Sequence, residues 1–198
     1  MFSRQFPFFN QLSSNEIFSI HQDREGYFWI GTTNGLARYD GYQLNTFRTD
    51  YKNQNLLTDN GITAINDNDL YVWIGTWKGL NLYNKQTCRI TPFSDARLLD
   101  KVVDAITVDK DGNVWVSAGG MIYRCDSTAH IIKEYEVGNI QEGYAISNIY
   151  VDQQKQLWAV GSRGIFRYEP ETDSFFRYPP LGNGPVSYTH LTLPTNSL

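Results

Sequence analysis

Few side chains in this 198-residue sequence are spaced for covalent chemistry. The histidines are His21, His130 and His190, and nothing pairs any of them with a nucleophile. Asp67-x-Asp69 and Asp109-x-Asp111 offer paired carboxylates. They lack the further oxygen ligands and closing Glu of a calcium loop, so they read as turn formers. No metal, cofactor or catalytic residue is expected. A disulfide between Cys88 and Cys125 is conceivable but not favoured. Recognition chemistry is better represented. Trp77 and Lys78 place an aromatic face beside a cation, and Arg163 and Asn34 add a second cation and an amide. Such a set suits a sugar ring carrying an acidic group.

The elements that must hold these residues follow from a repeat. Trp29, Trp73, Trp115 and Trp158 stand 44, 42 and 43 residues apart. Tyr39, Tyr83, Tyr123 and Tyr168 keep step with them, as do the apolar pairs Ile17/Ile20, Ile62/Ile65, Val103/Ile106 and Ile146/Ile149. Three landmarks in phase over four copies mark a repeat architecture. The first copy reads as four strands: about 17–22, 27–32, 36–39 and 43–47. Asp23-Arg24-Glu25-Gly26 makes the first turn and Thr33-Asn34-Gly35 the second. The third copy repeats the first turn as Asp109-Lys110-Asp111-Gly112. The second is one residue shorter, and the fourth has Asp152-Gln153-Gln154-Lys155.

Four strands per 40–45 residues predict an all-β protein, a β-propeller with blades at about 12–50, 57–95, 100–136 and 144–179. The four repeat tryptophans are expected to fill the wedges between blades, burying about 200 Å2 each. Gly31-Thr32 and Gly75-Thr76 read as close-packing positions. A further strand is expected near Phe2–Phe9, as part of another blade. The four blades are therefore expected to form an incomplete arc rather than a closed ring, with propeller sequence over 1–185. Residues 186–198 break the repeat and read as a non-native or disordered tail. The turns between second and third strands share a face with the loops between blades, where ligands approach a propeller. Those turns carry Asn34, Trp77, Lys78 and Arg163, and Trp77 lies outside the repeat pattern.

Composition narrows the partners. Charged residues are 19% and aromatics 15%, with a net charge of −4. That is a globular composition, and without a basic run nucleic acid is not an expected partner. No apolar run approaches the roughly 18 residues of a membrane span. The N-terminus does not read as a signal peptide.

The motif W-I-G-T-x-x-G-L-x-x-Y, at Trp29–Tyr39 and Trp73–Tyr83, resembles the two-component regulator propeller repeat. The resemblance extends over about residues 5–180, with degenerate third and fourth copies. It implies a seven-bladed ring, in the periplasmic part of an inner-membrane hybrid sensor histidine kinase that responds to glycans. It also implies partners: an oligosaccharide ligand, the remaining blades, a downstream sensor domain, and homodimerisation of the parent. Two other readings stay open: a propeller enzyme of the streptogramin-lyase type and a pure interaction scaffold.

Overall fold

A computed structural model describes residues 11–49, 56–137, 146–162 and 164–178. The expected strand near Phe2–Phe9, Arg163 and the 186–198 tail lie outside the described residues. The chain folds into four antiparallel sheets, each of four strands in chain order. Blade one comprises β1 (Ile17–Gln22), β2 (Phe28–Thr32), β3 (Gly35–Tyr39) and β4 (Leu44–Phe47). Blade two comprises β5 (Ile62–Asp67), β6 (Tyr71–Thr76), β7 (Gly79–Asn84) and β8 (Arg89–Pro92). Blade three is β9 (Val103–Val108), β10 (Val114–Ala118), β11 (Met121–Cys125) and β12 (Ile131–Glu136). Blade four is β13 (Ile146–Val151), β14 (Leu157–Gly161), β15 (Gly164–Glu169) and β16 (Ser174–Tyr178). A 3-10 turn at Ala96–Leu98 interrupts the link between blades two and three.

Each first hairpin is set by one Asx side chain. Asp23 Oδ1 accepts the backbone N–H groups of Glu25 and Tyr27, and Gly26 takes φ 92°. Asp109 and Gly112, φ 82°, do the same in blade three. In blade four Lys155 carries the left-handed backbone, φ 66°, without glycine's freedom. The carboxylates read from the sequence as turn formers thus have that role at Asp109. The same aspartates hold the tryptophans. Trp29, Trp115 and Trp158 donate their indole N–H to the second oxygen of Asp23, Asp109 and Asp152, at 2.6, 2.8 and 2.8 Å. Blade two has Asn68 at this place. Its Oδ1 accepts Leu70 and Tyr71 N–H, while its amide nitrogen donates to the Ser127 carbonyl. Trp73 Nε1 is buried with no hydrogen-bond partner.

The innermost strands β1, β5, β9 and β13 pack on one another in sequence. Between blades lie three apolar clusters, centred on Trp29, Trp73 and Trp115. These three indoles are buried to within 1%. Trp29 meets Tyr83 of the next blade at 4.8 Å between centroids, and Trp115 meets Tyr168 at 4.9 Å. The glycine after each of the first two tryptophans is required by proximity. A Cβ on Gly31 would sit 2.7 Å from Ile62 Cγ2, and one on Gly75 2.6 Å from Val103 Cγ1. In blade three Ser117 takes this place and donates to the Ile146 carbonyl. Register puts Val160 there in blade four, because Gly161 pairs with Ile146 as Thr32 pairs with Ile17.

The arc is open. Ile65, Ile106 and Ile149 are buried under the preceding blade, but Ile20 at the same position of blade one is 63% exposed. At the other end Trp158 is only half-buried, beside Tyr178. Cys88 and Cys125 are free thiols, the first exposed and the second buried.

Candidate ligand-binding face

The threonine that follows each glycine builds the turns that carry the candidate residues. Thr76 Oγ1 donates to the Gly79 carbonyl at 2.8 Å and accepts the Lys78 N–H at 3.1 Å. Thr32 does the same for Gly35 and Asn34. These turns are tied to the loops between blades: Thr33 N–H bonds the Glu16 carbonyl, Trp77 N–H the Gly61 carbonyl and Gly35 N–H the Asn60 carbonyl. Turns and inter-blade loops thus form one face.

Trp77 is 44% exposed on this face. Its ring lies against the backbone of Gly61, where a Cβ would come within 2.4 Å of the indole. Its edge meets Phe18 of blade one, 6.1 Å between centroids at 66°. The off-pattern tryptophan is therefore a half-exposed platform braced from two sides. Lys78 extends beside it, with Nζ 3.9 Å from Asp59 Oδ2. Asn34 sits in the neighbouring turn, with its amide given to the Ser13 carbonyl and its own carbonyl accepting Arg48 Nε. The structure brings Trp77 and Lys78 together. It assigns the Asn34 side chain to the local fold, and Arg163 lies outside the described residues.

Two residues on this face were not singled out in the sequence. Every innermost strand has a β-bulge at its second residue: Phe18, Thr63, Asp104 and Ser147. Bulges re-aim side chains. Phe18 and Asp104 are exposed, and Asp104 has no hydrogen-bond partner among the described residues. Desolvation by the strands around it raises the Asp104 carboxyl above its ordinary value. The signal was available, because this position changes from aromatic to hydroxyl to carboxylate while its neighbours repeat.

An ion cluster joins blades one and two away from this platform. His21 Nε2 lies 2.7 Å from Asp67 Oδ1, and Lys85 Nζ 2.8 Å from Asp67 Oδ2. Burial opposes ionisation of Asp67, but the hydrogen bonds from His21 and Lys85 outweigh it and hold its pKa at about 2. The cluster clamps a joint between blades. His130 is in an outer turn, bonded to Thr128. Burial pushes the Cys125 thiol up to about 12, which removes its nucleophilic form at neutral pH. No group of three or more metal-binding side chains occurs among the described residues.

Residues 11–34 match the family model for the two component regulator propeller. Over this segment the chain is similar to the two-component regulator propeller repeat. The repeat spans β1, β2 and the turn that begins blade one's part of the ligand face. Solved structures with the same fold include two extracellular domains from B. thetaiotaomicron. One is assigned to a one component system, with 21% identity, a TM-score of 0.62, and coverage of 78% of this chain and 21% of the other. The second is assigned to a hybrid two component system, with 21% identity, a TM-score of 0.57, and coverage of 83% and 30%. Virginiamycin B lyase from Staphylococcus aureus is also similar, with 19% identity, a TM-score of 0.65, and coverage of 82% and 55%. The chain thus spans between about a fifth and just over half of these structures, and the likeness is one of fold. Comparison with curated proteins finds no match. No helix among the described residues is long and apolar enough to cross a membrane.

Proposed function

We propose that the chain is part of a non-enzymatic, ligand-sensing propeller of a two-component sensor. The module lies outside the cytoplasm, in the periplasmic part of an inner-membrane hybrid histidine kinase, and responds to a glycan. The observation that carries this reading is the match to the two-component regulator propeller at residues 11–34, whose tryptophan and apolar-pair landmarks recur in all four blades. Fold similarity to extracellular domains of one- and two-component systems supports it. On this reading further blades cover the exposed ends at Ile20 and Trp158, a downstream sensor domain relays occupancy, and the parent acts as a homodimer. The test is ligand-dependent autophosphorylation of the parent membrane protein, with residues 11–178 present or deleted. Loss of the response on deletion is expected. A parent without kinase activity overturns the reading.

The fold similarity to virginiamycin B lyase supports a second reading, in which the chain belongs to a propeller enzyme. The described histidines weigh against it: His21 is held by Asp67 and His130 lies in an outer turn. Cleavage of quinupristin, followed by mass spectrometry, decides this second reading directly.

A further inference from the structure

The bulges that open every innermost strand place four different side chains at one structurally equivalent position. They are Phe18, Thr63, Asp104 and Ser147, in blade order. Thr63 and Ser147 donate to backbone carbonyls, of Val103 and Val160. Phe18 and Asp104 are committed differently. Phe18 is 55% exposed and touches Trp77 across the joint between blades, so the two rings make an L-shaped aromatic corner. Asp104, two blades along the same row, is a carboxylate with no partner among the described residues, although its surroundings desolvate it.

An unpartnered, partly desolvated carboxylate calls for a hydrogen-bond donor. An exposed aromatic corner calls for a flat apolar face. The charges nearby bear on the sign of the ligand. On this face the Lys78 ammonium lies against Asp59, Arg48 is given to the Asn34 carbonyl and Lys101 to the Tyr123 hydroxyl, so these cations are engaged while the Asp104 carboxylate is not. An anionic ligand would meet the uncompensated Asp104 carboxylate there. Resting on the glycan-sensing reading above, we propose that this row is a subsite for an uncharged sugar. The ring stacks in the Phe18–Trp77 corner, and hydroxyl groups donate to Asp104.

The test is calorimetry of the whole chain against maltohexaose, cellohexaose and xylohexaose. Hexagalacturonate and a glucosamine hexamer are run beside them as the acidic and cationic counterparts. At least one neutral hexasaccharide is expected to bind. Phe18→Leu and Asp104→Asn should each weaken it by about tenfold, the loss of one hydrogen bond or stacking contact. Lys110→Ala, on the distant β9–β10 turn, should leave it unchanged. Melting curves of the two site variants, expected to overlay the parent's, separate lost binding from lost fold. Binding of hexagalacturonate that depends on Lys78 overturns the proposal and leaves glycan sensing standing. Binding of the glucosamine hexamer alone overturns it too, as does neutral binding insensitive to both site variants. Failure of every sugar to bind overturns both the subsite and the glycan reading.

Discussion

Trp29 donates its indole N–H to the Asp23 carboxylate at 2.6 Å, and Asp23 in turn accepts two backbone N–H groups of its own hairpin. One side chain therefore fixes both the turn and the wedge residue between blades one and two. Trp73 occupies the same wedge one blade along with its N–H unpaired, because Asn68 has spent its only acceptor on Leu70 and Tyr71.

This difference predicts unequal costs for the same substitution. Trp29→Phe removes a charge-assisted bond and strands part of a buried carboxylate. Trp73→Phe removes a donor that had no partner. The first should cost about 1–2 kcal/mol more than the second. Urea unfolding of the two variants checks it, and equal costs would show that the indole bond contributes nothing net.

Trp73 and Trp77 are four residues apart and structurally opposite. Trp73 is wholly buried among Leu82, Phe93 and Val103, so Trp73→Ala should cost about 3–5 kcal/mol. Trp77 is braced by Gly61 and Phe18 but stays 44% exposed, so Trp77→Ala should cost under about 1 kcal/mol. Chemical denaturation measures both, and similar losses would contradict their assignment to wedge and turn.

Asp67 should make the fold acid-sensitive. Its folded-state pKa of about 2 lies below the ordinary value of 3.8. The resulting stabilisation is present above pH 4 and is lost as pH falls through about 2. Its size is about 2 kcal/mol. Asp67→Asn should therefore be markedly less stable than the parent at pH 6, with the gap narrowing toward pH 2. A gap independent of pH would show that the ion cluster with His21 and Lys85 does not set it.

Lys155 holds the left-handed position that glycine holds in the first and third blades. Lys155→Gly relieves that conformation and should raise stability by about 1 kcal/mol, less the entropy glycine gains in the unfolded chain. A shift of the thermal midpoint upward by a few degrees is expected. A downward shift would mean that the backbone is not strained there.

The sequence alone determined the blades. Tryptophan, tyrosine and apolar pairs recurring in phase, with Asx and Gly at the turns, specify local hairpins, and hairpin chemistry acts over a few residues. The strands expected in the first copy fall within a residue or so of β1–β4. The wedge role of Trp29, Trp73 and Trp115 and the closeness behind Gly31 and Gly75 were legible for the same reason, since a recurring bulky or absent side chain reports a recurring contact. In blade four Val160, two residues after Trp158, stands where those glycines stand, and strand register agrees.

The ligand face was legible as a set of turns but not as a site. Trp77 stood out because it broke the pattern, whereas its braces, Phe18 and Gly61, lie 59 and 16 residues away in the chain. The row of Phe18, Thr63, Asp104 and Ser147 exists only because the four innermost strands pack side by side. Likewise, Lys78 faces Asp59 and His21 meets Asp67 through packing between elements, not through spacing. Local patterns encode which strands form. Which charges end up paired, and which rings stay exposed, is decided when blades from distant parts of the chain come together.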